Sequence, residues 1–265
     1  MQNMTLDYTT YGEPHENIVF LVHGFKGFKD WGFFPYIAKN IHQKTGFQVV
    51  TFNFSHNGLN SGDLEITNLE KFENNTYSLE IQDLANMVSA AEQGYFGHKA
   101  KYIYLIGHSR GGGIVLLTTA LLQNPKIKKI ITLATINHTN RFDNDLWQKQ
   151  GYLEVINGRN GQVLRLGKAL YKDIEQYKDT KLNILHAVEQ ISIPILFIHG
   201  TQDESVPYQE SVVLHELRTK KQKPSFLFSV ENTGHTFGIK HPFTAPSSEL
   251  IQIIDKTVHF ILNPV

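Results

Sequence analysis

Gly107-His108-Ser109-Arg110-Gly111 sets a serine in a G-x-S-x-G pentapeptide. An apolar run of β type, residues 102–106, precedes it, and an apolar helical run, residues 114–122, follows it. Strand, sharp turn and helix form the setting in which such a serine acts as a nucleophile. The turn holds it in a strained backbone conformation with its hydroxyl exposed, and the flanking glycines let strand and helix approach closely. A serine hydroxyl attacks poorly until a base takes its proton, and that base needs a third group to orient it.

Two later segments supply candidates for both partners. The apolar run 194–198 enters His199-Gly200-Thr201-Gln202-Asp203-Glu204, and the run 226–230 enters Glu231-Asn232-Thr233-Gly234-His235. Serine, acid and histidine then occur in one of the known triad orders, each in a loop after a strand, where the ligand-side residues of parallel sheets gather. Asp203 is the expected acid, with its neighbour Glu204 as rival. His235 is the expected base, with His241 as rival. His23, His56 and His199 lie upstream of the acid and are set aside as bases. The developing oxyanion needs donors. The Arg110 N–H, next after the nucleophile, is one, and the Phe25 N–H in His23-Gly24-Phe25-Lys26-Gly27 is the other. His23 is expected to brace that loop.

Behind these loops stands a regular alternation. Apolar, β-branched runs at 18–22, 47–54, 102–106, 129–133, 195–198 and 226–230 read as strands buried on both faces. Residues 77–92, 207–218 and 248–262 read as helices, the last with Leu250, Ile254, Val258 and Ile261 on one stripe. The expected class is α/β, a mostly parallel sheet covered by helices on both faces. Residues 5–11 are expected to add an antiparallel edge strand. The 265 residues suit one domain spanning 1–265.

From about 137 to 190 the alternation breaks, and this stretch is expected to be a cap inserted over the sheet. Residues 153–156 and 163–166 flank Asn157-Gly158, a hairpin signal, and 167–177 and 181–189 read as helices. Trp31, Phe142, Trp147 and Tyr171 are the candidate substrate-pocket residues, with Phe25, Phe28, Phe33 and Phe34 clustered nearby. Lys26, Lys29 and Arg110 are read as solvated surface charges, with attraction of a carboxylate-bearing substrate as the alternative.

Composition excludes several classes. The chain has no cysteine, so disulfides, thiolate metal sites and a cysteine nucleophile are out. Lys+Arg and Asp+Glu are both 25, which points to no nucleic-acid partner. The 13 histidines are scattered without ligand spacing, so no metal is expected. No apolar run is long enough to span a membrane, and the first residues carry no signal-peptide pattern, so the expected location is cytoplasmic. The oligomeric state is not legible.

The pieces His23-Gly24-Phe25, Phe52-Asn53-Phe54-Ser55-His56-Asn57-Gly58, Gly107-His108-Ser109-Arg110-Gly111-Gly112, His199-Gly200-Thr201-Gln202-Asp203 and Gly234-His235 together resemble the α/β-hydrolase-fold serine hydrolases. Within them the chain is similar to bacterial esterase and dienelactone-hydrolase-like groups, including cinnamoyl and feruloyl esterases. The resemblance implies the α/β-hydrolase fold, a Ser-His-Asp triad, an acyl-enzyme, no cofactor, a small-molecule ester substrate of small or medium, including aromatic, acyl groups, and a lid where the insertion lies. One departure is that dienelactone hydrolases proper use a cysteine nucleophile. The same triad also serves peptidases, amidases and thioesterases, and a non-catalytic ligand-binding protein on this scaffold is the alternative of another class.

Overall fold

The computed structural model describes residues 6–264. In chain order the first elements are β1 (Tyr8–Tyr11), β2 (Asn17–Val22), α1 (Phe34–Thr45), β3 (Gln48–Phe52), α2 (Leu69–Glu73), α3 (Tyr77–Gln93), β4 (Tyr102–His108), α4 (Arg110–Leu122) and β5 (Ile127–Leu133). Then follow α5 (Asn144–Gln150), β6 (Tyr152–Ile156), β7 (Val163–Gly167), α6 (Lys168–Tyr177), α7 (Ile184–Gln190), β8 (Ile195–Gly200), α8 (Gln209–Lys220), β9 (Ser225–Val230) and α9 (Ser248–Leu262).

Seven strands form one sheet in the order β1-β3-β2-β4-β5-β8-β9. All neighbours run parallel except β1, which pairs antiparallel with β3. The expected edge strand is therefore present at β1; Thr5, the first residue of that expectation, lies outside the described residues.

The alternation of side chains along each strand separates two cores. Ile18, Phe20 and Val22 of β2 pack with α3, α4, α7 and α8, while Val19 and Leu21 pack with α1 and α9. That two-sided burial is why the inner strands read as continuous apolar runs. Helix α9 begins at the Ser247 cap, whose side chain accepts from the Leu250 N–H, and buries the expected stripe. Helix α1 is absent from the sequence reading. Pro35 stands in its first turn and left-handed Gly46 closes it, and it buries Phe34, Ile37, Ala38 and Ile41.

Between β5 and β8 the chain leaves the sheet. Strands β6 and β7 pair antiparallel as a separate two-stranded sheet, flanked by α5 and α6. The loop between them is longer than an Asn-Gly turn. The Asn157 N–H donates to Gln162 O at 2.8 Å, and the left-handed residue is Gly161, with φ 74°, rather than Gly158. Helix α7, grouped with the insertion in the sequence reading, lies in the helix layer of the sheet against α4, where Ile184 and Ile136 fill the space that Gly113 leaves. Among the described residues no helix is long and apolar enough to cross a membrane.

Candidate active site

Ser109 sits between β4 and α4 with φ 56° and ψ −124°, a conformation that a residue with a Cβ adopts only under constraint. The glycines around it are required by close approach. A Cβ on Gly107 would collide with the Gly111 carbonyl, and one on Gly111 with the carbonyl oxygens of Val22 and His23. The Ser109 N–H donates to Leu133 O at 2.8 Å, which ties the turn to β5. Among the described residues the Ser109 hydroxyl makes no hydrogen bond. Ser109 lines a cavity of about 200 Å³.

The loop after β2 passes directly over this turn. A Cβ on Gly24 would stand 2.9 Å from both Ser109 Cβ and His108 O, so only glycine permits the approach. It brings Phe25 beside the start of α4. Among the described residues neither the Phe25 N–H nor the Arg110 N–H has a hydrogen-bond partner. His23 braces the loop: Nδ1 donates to Gly24 O (2.9 Å), and Nε2 accepts from the Phe54 N–H (3.3 Å). Burial pushes this imidazole down to about 4, so it stays neutral at ordinary pH.

Asp203 lies in the turn after β8, and His235 in the loop after β9. His235 Nδ1 is 2.7 Å from Asp203 Oδ2. The other carboxylate oxygen accepts from the N–H groups of Ser205 and Val206, both at 2.9 Å. A second imidazole reaches Oδ2, that of His199 through Nε2 at 3.1 Å. His199 Nε2 also faces Val206 O at 2.9 Å, so it must carry the proton, and Ser211 Oγ donates to Nδ1 at 2.7 Å. Burial raises the Asp203 carboxyl, but the hydrogen bonds from His199, His235 and the Val206 amide outweigh it and hold the group well below the usual carboxylate range. His108 donates from Nε2 to His235 O at 3.0 Å, which fixes the loop that carries His235. Burial, with the charge of His235 second, pushes His108 down to about 3.

The structure thus brings Ser109 and His235 to one cavity, with Asp203 behind His235. The rivals are elsewhere. Glu204 is exposed, and His241 Nδ1 accepts from the Gly32 N–H at 3.1 Å while its ring stacks on Trp31.

Of the four expected pocket residues only Trp31 lines the cavity. Trp147 is 1% exposed, donates its indole N–H to Leu166 O at 3.0 Å, and packs against Phe142 and Tyr171. These three rings pack with Leu153, Leu164, Leu166, Leu170 and Ile174 in the apolar centre of the excursion between β5 and β8. Asn157, Gly158 and Arg159 of the β6–β7 loop line the cavity in their place.

Arg110 is not a surface charge. It is 3% exposed, its Nε lies 2.8 Å from Glu80 Oε2, and its guanidinium sits 3.9 Å from the Tyr77 ring centroid. Glu80 is held in turn by Asn75 Nδ2 at 2.7 Å. Lys26 and Lys29 are likewise tethered: Lys26 Nζ donates to Ile156 O (2.9 Å), and Lys29 Nζ to Thr9 Oγ1 (2.9 Å) and Asp30 (2.5 Å). Sequence reasoning also passed over His199. Its signal was its position, the last polar side chain of a buried strand and one turn before the acid.

The family described by the alpha/beta hydrolase fold matches residues 17–185, more than half of the chain. This chain belongs to the alpha/beta hydrolase fold family. Among curated proteins, this alpha/beta hydrolase is 23% identical to the putative esterase/lipase 1 of Mycoplasma pneumoniae, over 90% of this chain and 89% of that one. Among solved structures, it is similar to ferulic-acid-bound Est1E from Butyrivibrio proteoclasticus, with a TM-score of 0.72, 20% identity, and coverage of 97% of this chain and 94% of that one. It is also similar to the monoacylglycerol lipase of Paleococcus ferrophilus, with a TM-score of 0.69, 18% identity, and coverage of 97% and 98%. These structural likenesses concern the alpha/beta hydrolase fold itself.

Proposed function

We propose that this chain hydrolyses carboxylic esters of short acyl groups through an acyl-enzyme on Ser109. The observation that carries the reading is the 2.7 Å contact between Asp203 Oδ2 and His235 Nδ1, with His235 and Ser109 facing one cavity. The esterases and lipases among its relatives support the same reaction class.

In this reading Asp203 stays ionised and holds the proton of His235 on Nδ1, which leaves Nε2 free to take the Ser109 proton. Ser109 Oγ bonds to the ester carbonyl carbon, and the carbonyl oxygen takes the negative charge. The N–H groups of Phe25 and Arg110 stabilise that oxygen, each by about 3 kcal/mol of barrier. The imidazolium then protonates the departing alkoxide. Water, deprotonated by His235, attacks the acyl carbon, the bond to Ser109 Oγ breaks as the imidazolium returns its proton to that oxygen, and the acid is released. The strained turn keeps Ser109 Oγ aimed at the cavity, so little reorganisation precedes attack.

The test is an ester panel of increasing acyl length with a fluorophosphonate label. Turnover and labelling are both expected in the wild type and both lost in Ser109→Ala. Turnover that survives in Ser109→Ala overturns the assignment.

A further inference from the structure

The cavity that Ser109 and His235 line also has two cations in its lining. Lys26 and Arg159 line the same cavity as Ser109 and His235. They are tied to each other's loops: Arg159 Nη2 donates to Lys26 O at 3.1 Å, and Lys26 Nζ donates to Ile156 O at 2.9 Å. The Arg159 guanidinium also sits 5.2 Å from the Phe28 ring centroid. Among the described residues neither cation forms a salt bridge with a carboxylate. Glu65 is near enough to act on Arg159 through its charge, without pairing. Arg159 Nη1 and Asn157 Nδ2 are buried and lack an acceptor. Burial acts against both charges, lowering Lys26, with Arg159 adding to the effect, and lowering Arg159.

Two partly buried cations and two unpaired donors are costly to hold without a counter-charge. Structural tethering uses only part of them: one guanidinium nitrogen and the Asn157 amide nitrogen remain unused. Neither of those two nitrogens is open to the cavity, so an anion entering it is met by the lining faces of Lys26 and Arg159, which have no carboxylate partner of their own. The cavity measures about 200 Å³. Ser109 and the two cations line this one space, so a single ligand can meet both.

We propose that the substrate is an ester whose acyl part ends in a carboxylate, a half-ester of a short dicarboxylic acid, with Arg159 and Lys26 receiving that carboxylate while the ester carbonyl lies at Ser109. The inference rests on the ester-hydrolase reading and names its substrate class. Arg159 contributes directional, charge-assisted hydrogen bonds, and Lys26, held at Ile156 O, a point charge.

The experiment compares monoethyl glutarate with ethyl pentanoate, acyl chains of equal carbon count that differ by the terminal carboxylate, by ethanol release. The wild type is expected to favour the half-ester by about ten-fold or more in kcat/KM. The ratio should drop about ten-fold in Arg159→Gln, drop less in Lys26→Gln, and decline as salt is raised. A wild-type ratio at or below unity, or a ratio unchanged in folded Arg159→Gln, overturns the proposal. If Arg159→Gln does not fold, Lys26→Gln and the salt dependence of the wild-type ratio decide the matter in the same way. Turnover of ethyl pentanoate that depends on Ser109, without charge preference, removes this inference and leaves the ester-hydrolase reading standing. Absence of turnover of both esters together with absence of fluorophosphonate labelling removes both.

Discussion

His199 Nε2 lies 3.1 Å from Asp203 Oδ2, the same oxygen that holds His235 Nδ1 at 2.7 Å. Two imidazoles therefore share one carboxylate oxygen, and His199, with 0% exposure, does so from inside the sheet. In the proposed mechanism His199 is a positioning residue: it fixes the direction of Oδ2 and helps to keep Asp203 ionised. His199→Phe removes one hydrogen bond to a charged group, about 1.5–3 kcal/mol. If that loss is felt at the transition state, kcat falls roughly ten- to hundred-fold. KM should change little, because His199 does not line the cavity. A rise in KM at constant kcat would contradict the positioning role.

The glycines of the Ser109 turn carry a stability prediction. Gly111→Ala forces a methyl group against the Val22 and His23 carbonyls, both backbone atoms that cannot rotate away. Overpacking of this kind costs about 1–3 kcal/mol or more. Thermal melting should show a clear loss, at roughly 2–4 °C per kcal/mol for a chain of this size. Gly158→Ala meets nothing within 4 Å and has no positive φ, so its Tm should match the wild type. Equal Tm values for the two variants would remove the argument from close approach.

Stability should depend on pH through the buried histidines. His23 is pushed down to about 4 and His108 to about 3, both first of all by burial. In the unfolded chain each titrates near ~6.5. Below that pH the unfolded state binds more protons than the folded state, so their contribution is intact above ~6.5 and is lost as pH falls towards the folded values. Each costs up to ~1.4 kcal/mol per pH unit in that window. Asp203 adds a loss of the same sign further down: its folded value lies below the usual range, so its contribution is present above ~3.9 and disappears as pH falls through the folded value. The urea midpoint should fall steadily from pH ~6.5 to ~4.5, and less steeply in His108→Gln. A level midpoint across that interval would falsify this account.

The Arg110–Glu80 pair should behave as a buried ion pair. Removing one partner strands the other, so Arg110→Met or Glu80→Met alone should destabilise by about 3–5 kcal/mol. The double variant should lose much less than the sum of the two, because no charge is left unpaired. Chemical denaturation of the four proteins gives the coupling energy. Additive losses would mean that the 2.8 Å contact between Arg110 Nε and Glu80 Oε2 contributes nothing of its own.

Much of this chain is legible one segment at a time. Strands buried on both faces must be apolar throughout, so β2, β3, β4, β5 and β8 announce themselves, and the sheet class follows from them. The turn at Ser109 is legible because close backbone contact demands glycine at Gly107 and Gly111. Asp203 and His235 are legible because residues after the strands of a parallel sheet gather at one end. Helix α1 is hidden by the aromatic run that opens it, which reads equally well as a pocket.

What lies across the fold was not legible. Arg110 looks like any basic residue until α3 sets Glu80 beside it, and no local pattern links positions 80 and 110. Phe142, Trp147 and Tyr171 have the composition of a pocket but the packing of a core, and only the path of β6 and β7 brings Asn157 and Arg159 to the cavity instead. The sequence by itself determined the sheet, the Ser109 turn and the order of the candidate triad, because those depend on short-range sterics and on periodic burial. The tertiary structure alone decided which charges are buried in pairs, that a second histidine stands behind Asp203, and which side chains line the cavity. All of this depends on which distant surfaces the chain brings together.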